Sequence, residues 1–244
     1  MIGPAVHLYD VTLAYRGHPA VHHVGGTFAP GSHTAILGAN GAGKSTLLQA
    51  IAGLRPVDDG RIDRGQSRIA YLPQNATLDR TFPVTVMDVV LMGHWTRTGG
   101  FLGFDREQRR QADDALDAVS LDGFAHRQIG TLSVGQFQRM LFARLLVQDC
   151  PLVLLDEPFN GVDDATTADL MRLVAGWRRE GRTVIAVLHD LAQVRAGFDH
   201  VLLLARHCVG WGPTAATLAA NGAPAAHLAE AWRDDAEWCA RGAA

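Results

Sequence analysis

Between an apolar run, Thr34 to Leu37, and a helix-like stretch from Lys44 to Ala52, the chain carries Gly38-Ala39-Asn40-Gly41-Ala42-Gly43-Lys44-Ser45. This fits G-x-x-x-x-G-K-[ST] with a strand before it and a helix after it. The pattern demands a buried strand that ends in a glycine loop, then a helix whose N-terminus closes the loop. Glycines let the backbone wrap closely and turn several N–H groups inward, and the helix adds the positive end of its dipole. Such a loop cradles phosphate. Gly38, Asn40, Gly41, Ala42 and Gly43 supply its backbone, Lys44 neutralises the β- and γ-phosphates, and the Ser45 hydroxyl coordinates Mg²⁺. Thr46 adds an α-phosphate contact. Gly53 and Pro56 then stop the helix.

The 244 residues suit one large α/β domain, or one with an inserted lobe. Apolar residues at 48% suffice for a substantial core. A net charge of −3 gives no footing for general nucleic-acid binding. The longest apolar runs, Pro151 to Leu155 and Val201 to Ala205, are strand-sized, so a membrane role has to come through a partner. The start, MIGPAVHLYD, is not expected to be a signal peptide. Cys150, Cys208 and Cys239 are scattered, as expected of buried thiols in a reducing compartment rather than a disulfide framework.

Val6 to Tyr15, His22 to Phe28, Arg68 to Leu72, Leu152 to Asp156, Thr183 to Leu188 and His200 to Leu204 read as strands, and Pro30-Gly31 as a turn. From about Val84 to Val147 the character is helical, with an apolar stripe at Ala112, Ala115, Leu116 and Val119. Trp95 to Phe104 is a glycine-rich interruption with three aromatics. A further helix is expected near Thr166 to Arg179. Strands alternating with helices predict a mainly parallel sheet, with the helical block about 82–150 inserted into it. Residues 1–225 then form one domain, and 226–244 a tail with Trp232 and Trp238.

A second constellation follows the strand Leu152 to Leu155. Adjacent buried carboxylates are costly without a partner. Mg²⁺ resolves this for Asp156, leaving Glu157 facing the γ-phosphate as general base for the attacking water. Ser133 is well suited to cap the helix that follows it. The 11 histidines include His22-His23 and the pair His207-Cys208, but none has convincing four-ligand metal spacing.

Five motifs thus stand in order: GANGAGKS, LPQ ending at Gln74, LSVGQ at Leu132 to Gln136, LVLLDEP ending at Pro158, and His189 after VIAVL. The set resembles the ATP-binding-cassette (ABC) ATPase family from about Val6 to Thr217. The resemblance implies a P-loop core with an antiparallel β-subdomain and an inserted helical lobe. It implies that His189 contacts the γ-phosphate and holds water and base, that Gln74 touches Mg²⁺ or the attacking water, and that Tyr15 stacks on adenine. It places Ser133, Gly135 and Gln136 against the γ-phosphate held by a second subunit, with Asp163 in a loop crossing the dimer seam. Two chains, head to tail, then sandwich two ATP molecules. Val134 departs from the common LSGGQ; a β-branched side chain there narrows backbone freedom and is expected to weaken or slow closure.

The run Asp156-Glu157-Pro158-Phe159-Asn160-Gly161-Val162-Asp163 and the segment Val86 to Trp95 further resemble ATPases of manganese, zinc and iron importers. That resemblance implies an ATPase homodimer driving an integral-membrane permease, with a periplasmic or surface substrate-binding protein engaged indirectly and no nucleic-acid partner. It places the chain on the cytoplasmic face of the inner (plasma) membrane, peripheral through the permease. A haem, siderophore or other small-solute importer, and a soluble ABC ATPase outside transport, are the alternatives.

Overall fold

The computed structural model describes residues 2–15, 18–74, 79–95 and 103–221. Strands β1 (Val6–Tyr15), β2 (His18–Phe28) and β4 (Asp59–Asp63) form a small antiparallel sheet in the order β2-β1-β4. A six-stranded sheet runs β5-β6-β7-β3-β8-β9, built from β3 (His33–Leu37), β5 (Ile69–Leu72), β6 (Leu152–Asp156), β7 (Thr183–Val187), β8 (His200–Ala205) and β9 (His207–Pro213). All its pairings are parallel except β8–β9, which is antiparallel. Every residue of β3, β6 and β7 is buried. That is why these central strands carry apolar residues in unbroken stretches, with polar ones only at their ends, rather than in alternation.

Two apolar clusters cover the faces of the large sheet. On one face Leu47, Leu48 and Ile51 of α1 (Lys44–Ala52) pack with Ile36, Leu154, Ile185 and Leu202, and the small sheet joins through Val6, Leu13 and Phe28. These side chains are fully buried, each worth about 1.5–3 kcal/mol over exposure. On the other face Val153, Leu155 and Ala186 meet α5 (Asp164–Arg179) through Leu170, Val174 and Trp177.

Between β5 and β6 the chain passes through α2 (Val86–Leu91), α3 (Arg106–Ala118) and α4 (Val134–Gln148). These helices pack on one another, and α4 also contacts β5 and α5. The stripe Ala112, Ala115, Leu116 and Val119 is buried, in the same cluster as Met140, Leu141 and Leu145 of α4. Each helix has a capping box at its N-terminus, with Thr85, Asp105 and Ser133 as caps. Residues 96–102, within the glycine-rich interruption, and the tail with Trp232, Trp238 and Cys239 lie outside the described residues. Among the described residues, short helices α6 (Leu191–Gly197) and α7 (Thr214–Ala220) complete the elements. No described helix is long and apolar enough to cross a membrane.

The expected strand at His22 begins earlier, at His18, and β4, β9, α6 and α7 were not foreseen. Parallel order puts the C-terminal ends of β3, β6 and β7 on one rim of the sheet, where an open α/β sheet forms its crevice.

Candidate functional site

The glycine loop leaves β3 at that rim and enters α1. Gly43 adopts a left-handed backbone, φ 92°, and its Cα faces the small sheet. A Cβ there would lie 2.1 Å from the Ala20 carbonyl oxygen, so only glycine allows the loop and β2 to close. Lys44 is buried, and its Nζ donates to the Gly38 and Ala39 carbonyls, 2.9 Å each. Burial pulls its pKa below the usual value, against the opposing pull of Glu157 and Asp156. The loop thus stores a cation whose bonds are to neutral carbonyls. An anion in the loop would offer that ammonium a partner of opposite charge, a stronger bond than either carbonyl gives.

At the second residue of α1, Ser45 Oγ donates to Asp156 Oδ1 at 2.8 Å. Asp156 ends β6 and is buried, which pushes its carboxyl above the ordinary range although the serine bond pulls the other way. A buried carboxylate beside a hydroxyl is a hard-oxygen donor pair, the set Mg²⁺ prefers.

Glu157 follows with φ 50°. A non-glycine residue in this region is strained by about 1 kcal/mol or more. Glu157 Oε1 lies 2.6 Å from His189 Nε2; Oε2 accepts Gln74 Nε2 at 2.7 Å and Asn160 Nδ2 at 3.2 Å. Three loops, after β5, β6 and β7, converge on this one acid.

Above the loop opens a cavity of about 820 Å³. It is lined by Tyr15, Asn40, Gly41, Gly43, Lys44, Ser45, Thr46, Gln74, Glu157 and His189, all singled out from sequence, and by Ala20 and Asn160, which were not. Gly38, Ala42 and Asp156 are not part of this lining, although Gly38 and Asp156 bond to Lys44 and Ser45, which are. Asn160 falls at the free position of the D-E-P-F-x-G-V-D run; its only signal was a polar side chain three residues past Glu157. Ala20 enters through β2 and carries no sequence signal.

Ser133, Gly135, Gln136 and Asp163 gather on a second surface, outside the cavity lining. Ser133 Oγ accepts the Gln136 N–H at 3.2 Å, while Gln136 Oε1 accepts the Ser133 N–H at 3.0 Å. Asp163 caps α5 by accepting the Thr166 N–H at 2.9 Å, and this bond holds its carboxyl below the usual value. A Cβ on Gly135 would stand 3.3 Å from Asp163 Oδ2, so the start of α4 and the loop before α5 are in close register. Val134 points outward, 53% exposed. Five residues on, Arg139 donates to Val119 O, Thr166 Oγ1 and Asp169 Oδ2, binding α4 to the end of α3 and to α5.

The geometry of the cavity offers backbone N–H groups, a lysine, a hard-oxygen pair and a carboxylate held by an imidazole. Together these can bind a polyphosphate and activate water against its terminal group. A family model described as ABC transporter matches residues 21–160. The manganese transport system ATP-binding protein MntB of Listeria monocytogenes is 40% identical over 86% of this chain and 90% of its own length. The zinc transport system ATP-binding protein TroB of Treponema pallidum is 44% identical, over 82% and 78%. Among solved structures, the dimeric post-hydrolysis state of the ATP-binding cassette MJ0796, bound to ADP and phosphate, superposes with a TM-score of 0.75 at 26% identity, covering 86% of this chain and 98% of that one.

Proposed function

This chain belongs to the ABC transporter family as an ATP-hydrolysing subunit, and we propose that it energises an importer for a divalent transition metal, zinc or manganese. The observation that carries the cargo is the similarity to MntB and TroB, at 40% and 44% identity over more than four-fifths of the chain. The run Asp156 to Asp163 supports it from within the sequence.

In this reading the phosphates of ATP enter the loop Gly38–Ser45 and take the Lys44 ammonium from the Gly38 and Ala39 carbonyls. Tyr15 receives the adenine, and Thr46 the α-phosphate. Ser45 and Asp156, with Gln74 at the rim, would hold Mg²⁺, which would supply positive charge to offset that of the phosphates. Glu157 takes the proton of the attacking water as the water's oxygen bonds to the γ-phosphorus and the bond to ADP breaks. His189 holds Glu157 and contacts the γ-phosphate.

The second surface, Ser133, Gly135 and Gln136 with Asp163 beside it, completes the site of a second copy. A capped helix N-terminus suits that anion. Two copies close on two ATP molecules, and closure shifts a membrane permease that receives cargo from a substrate-binding protein. The subunit then sits peripherally on the cytoplasmic face of the membrane. ATP drives closure only to the extent that it prefers the closed state.

The test is reconstitution with the permease in liposomes, following ATP hydrolysis and uptake of zinc, manganese and iron together. Coupled uptake of zinc or manganese, abolished by Glu157→Gln, is the expected result. Partner-stimulated hydrolysis without movement of any of the three metals overturns the cargo assignment and leaves the ATPase.

A further inference from the structure

Tyr15 is the last residue of β1; the residue is 50% exposed and lines the cavity. A tyrosine that merely packs turns a ring face into protein. Here the protein-side face is covered by a cation. Arg55 follows the glycine stop of α1, and its Cζ stands 3.8 Å from the centre of the Tyr15 ring. Its Nη2 donates to the carbonyl of Ala14, the residue before Tyr15, and its Nε is buried without a hydrogen-bond partner. The guanidinium is therefore fixed by one backbone bond and by the ring itself.

A planar cation held against one face of an aromatic ring does three things. It closes that face to solvent and ligand, leaving the other for the cavity. It restricts the ring's rotation, so the ordering cost is met before a ligand arrives. It also draws on the ring's electron density, which favours an electron-rich base on the free face. The same sheet has an internal contrast: Arg61 lies 4.2 Å over Tyr9, but Tyr9 does not line the cavity.

We infer that Arg55 is a positioning residue for base recognition: through Tyr15 it presents one prepared aromatic face to the adenine ring. The inference rests on the reading of Tyr15 as the adenine platform. It makes base and phosphate recognition separable, because Arg55 acts on the base alone. An arginine acting as a general positive charge would strengthen every anion in the cavity equally.

The experiment measures Mg²⁺-dependent binding of ADP and of inorganic pyrophosphate to the full chain, with thermal melts confirming folding. Arg55→Met is expected to weaken ADP about three- to tenfold and to leave pyrophosphate unchanged. In a Tyr15→Ala background the same substitution should have almost no further effect. Arg55→Lys, which keeps a cation at the ring, should recover part of the ADP affinity; it also serves if the methionine variant fails to fold. Arg61→Met should alter neither ligand. Equal weakening of ADP and pyrophosphate, or an undiminished effect without Tyr15, overturns the inference. If Tyr15→Ala by itself leaves ADP binding intact, the adenine reading fails instead, and that result is distinct from a failure of Arg55 alone.

Discussion

His189 Nε2 stands 2.6 Å from Oε1 of Glu157, joining the loops that follow two adjacent parallel strands, β7 and β6. The contact fixes an acid whose backbone is already turned into the left-handed region. Gln74 and Asn160 hold its other oxygen. Glu157 is thus restrained through both oxygens before any nucleotide arrives.

Replacing Glu157 by Gln removes the proton acceptor and keeps the volume. Turnover should fall by about 10²–10⁴, the range expected of a lost general base. Nucleotide binding should survive, and a dimer with trapped ATP should accumulate on gel filtration. Normal turnover would remove Glu157 from the base role.

Lys44→Ala acts at the earlier step. It deletes the cation that the loop parks on Gly38 and Ala39. Loss of a charge-assisted contact should weaken ATP about 10- to 100-fold. Equilibrium titration reads this directly, and an unchanged Kd would contradict the cradle assignment.

At the second surface, Val134 is the departure from the common signature and lies exposed at the first turn of α4. Val134→Gly removes an exposed β-branched side chain from this surface, so ATP-driven dimerisation should strengthen, against the roughly 0.5–1 kcal/mol that glycine costs within a helix. Sedimentation of the Glu157→Gln background with and without the change measures it. A weaker dimer would mean that the valine contributes contacts rather than obstruction.

His33 carries a pH dependence away from the nucleotide. It is fully buried at the start of β3, and neither ring nitrogen makes a well-formed hydrogen bond. Burial lowers its pKa to about 4; Asp199 opposes this, and Arg178, paired with Asp199, adds to it. Between the unfolded value near 6.5 and about 4, the unfolded chain binds the proton and the folded one does not. Stability therefore falls as pH drops through that window, by up to about 3 kcal/mol. Melts from pH 7.5 to 4.5 should show a shallower slope in His33→Leu than in the parent; equal slopes would assign the acid sensitivity elsewhere.

The elements that sequence made legible are those with a strong local pattern. β3, β6, β7 and β8 are apolar runs because the sheet buries them, and α1 stops at Gly53, which adopts the left-handed cap glycine permits. β4 escaped because Asp59–Asp63 is polar and mostly exposed, with nothing to alternate. β9 escaped because it mixes two glycines and a terminal proline and is only half buried. The same division runs through the site. Lys44, Ser45 and Asp156 lie in motifs whose spacing carries their chemistry. Asn160 and Arg55 gain theirs from groups brought close by folding, and an arginine just past a helix end gives no warning of a tyrosine at a strand end far back in the chain.

The cavity draws on both sheets, since Tyr15 belongs to the small antiparallel one while Lys44, Glu157 and His189 follow strands of the large, mainly parallel one. Gly43 pressed against the Ala20 carbonyl is where the two touch at the loop. With the base on Tyr15 as proposed, a bound nucleotide would work as a gauge as well as a fuel: base and phosphates would fit together only when the sheets are correctly aligned. Strain that tilts one sheet against the other should then be felt as a change in nucleotide affinity, and, by reciprocity, nucleotide should stiffen that seam.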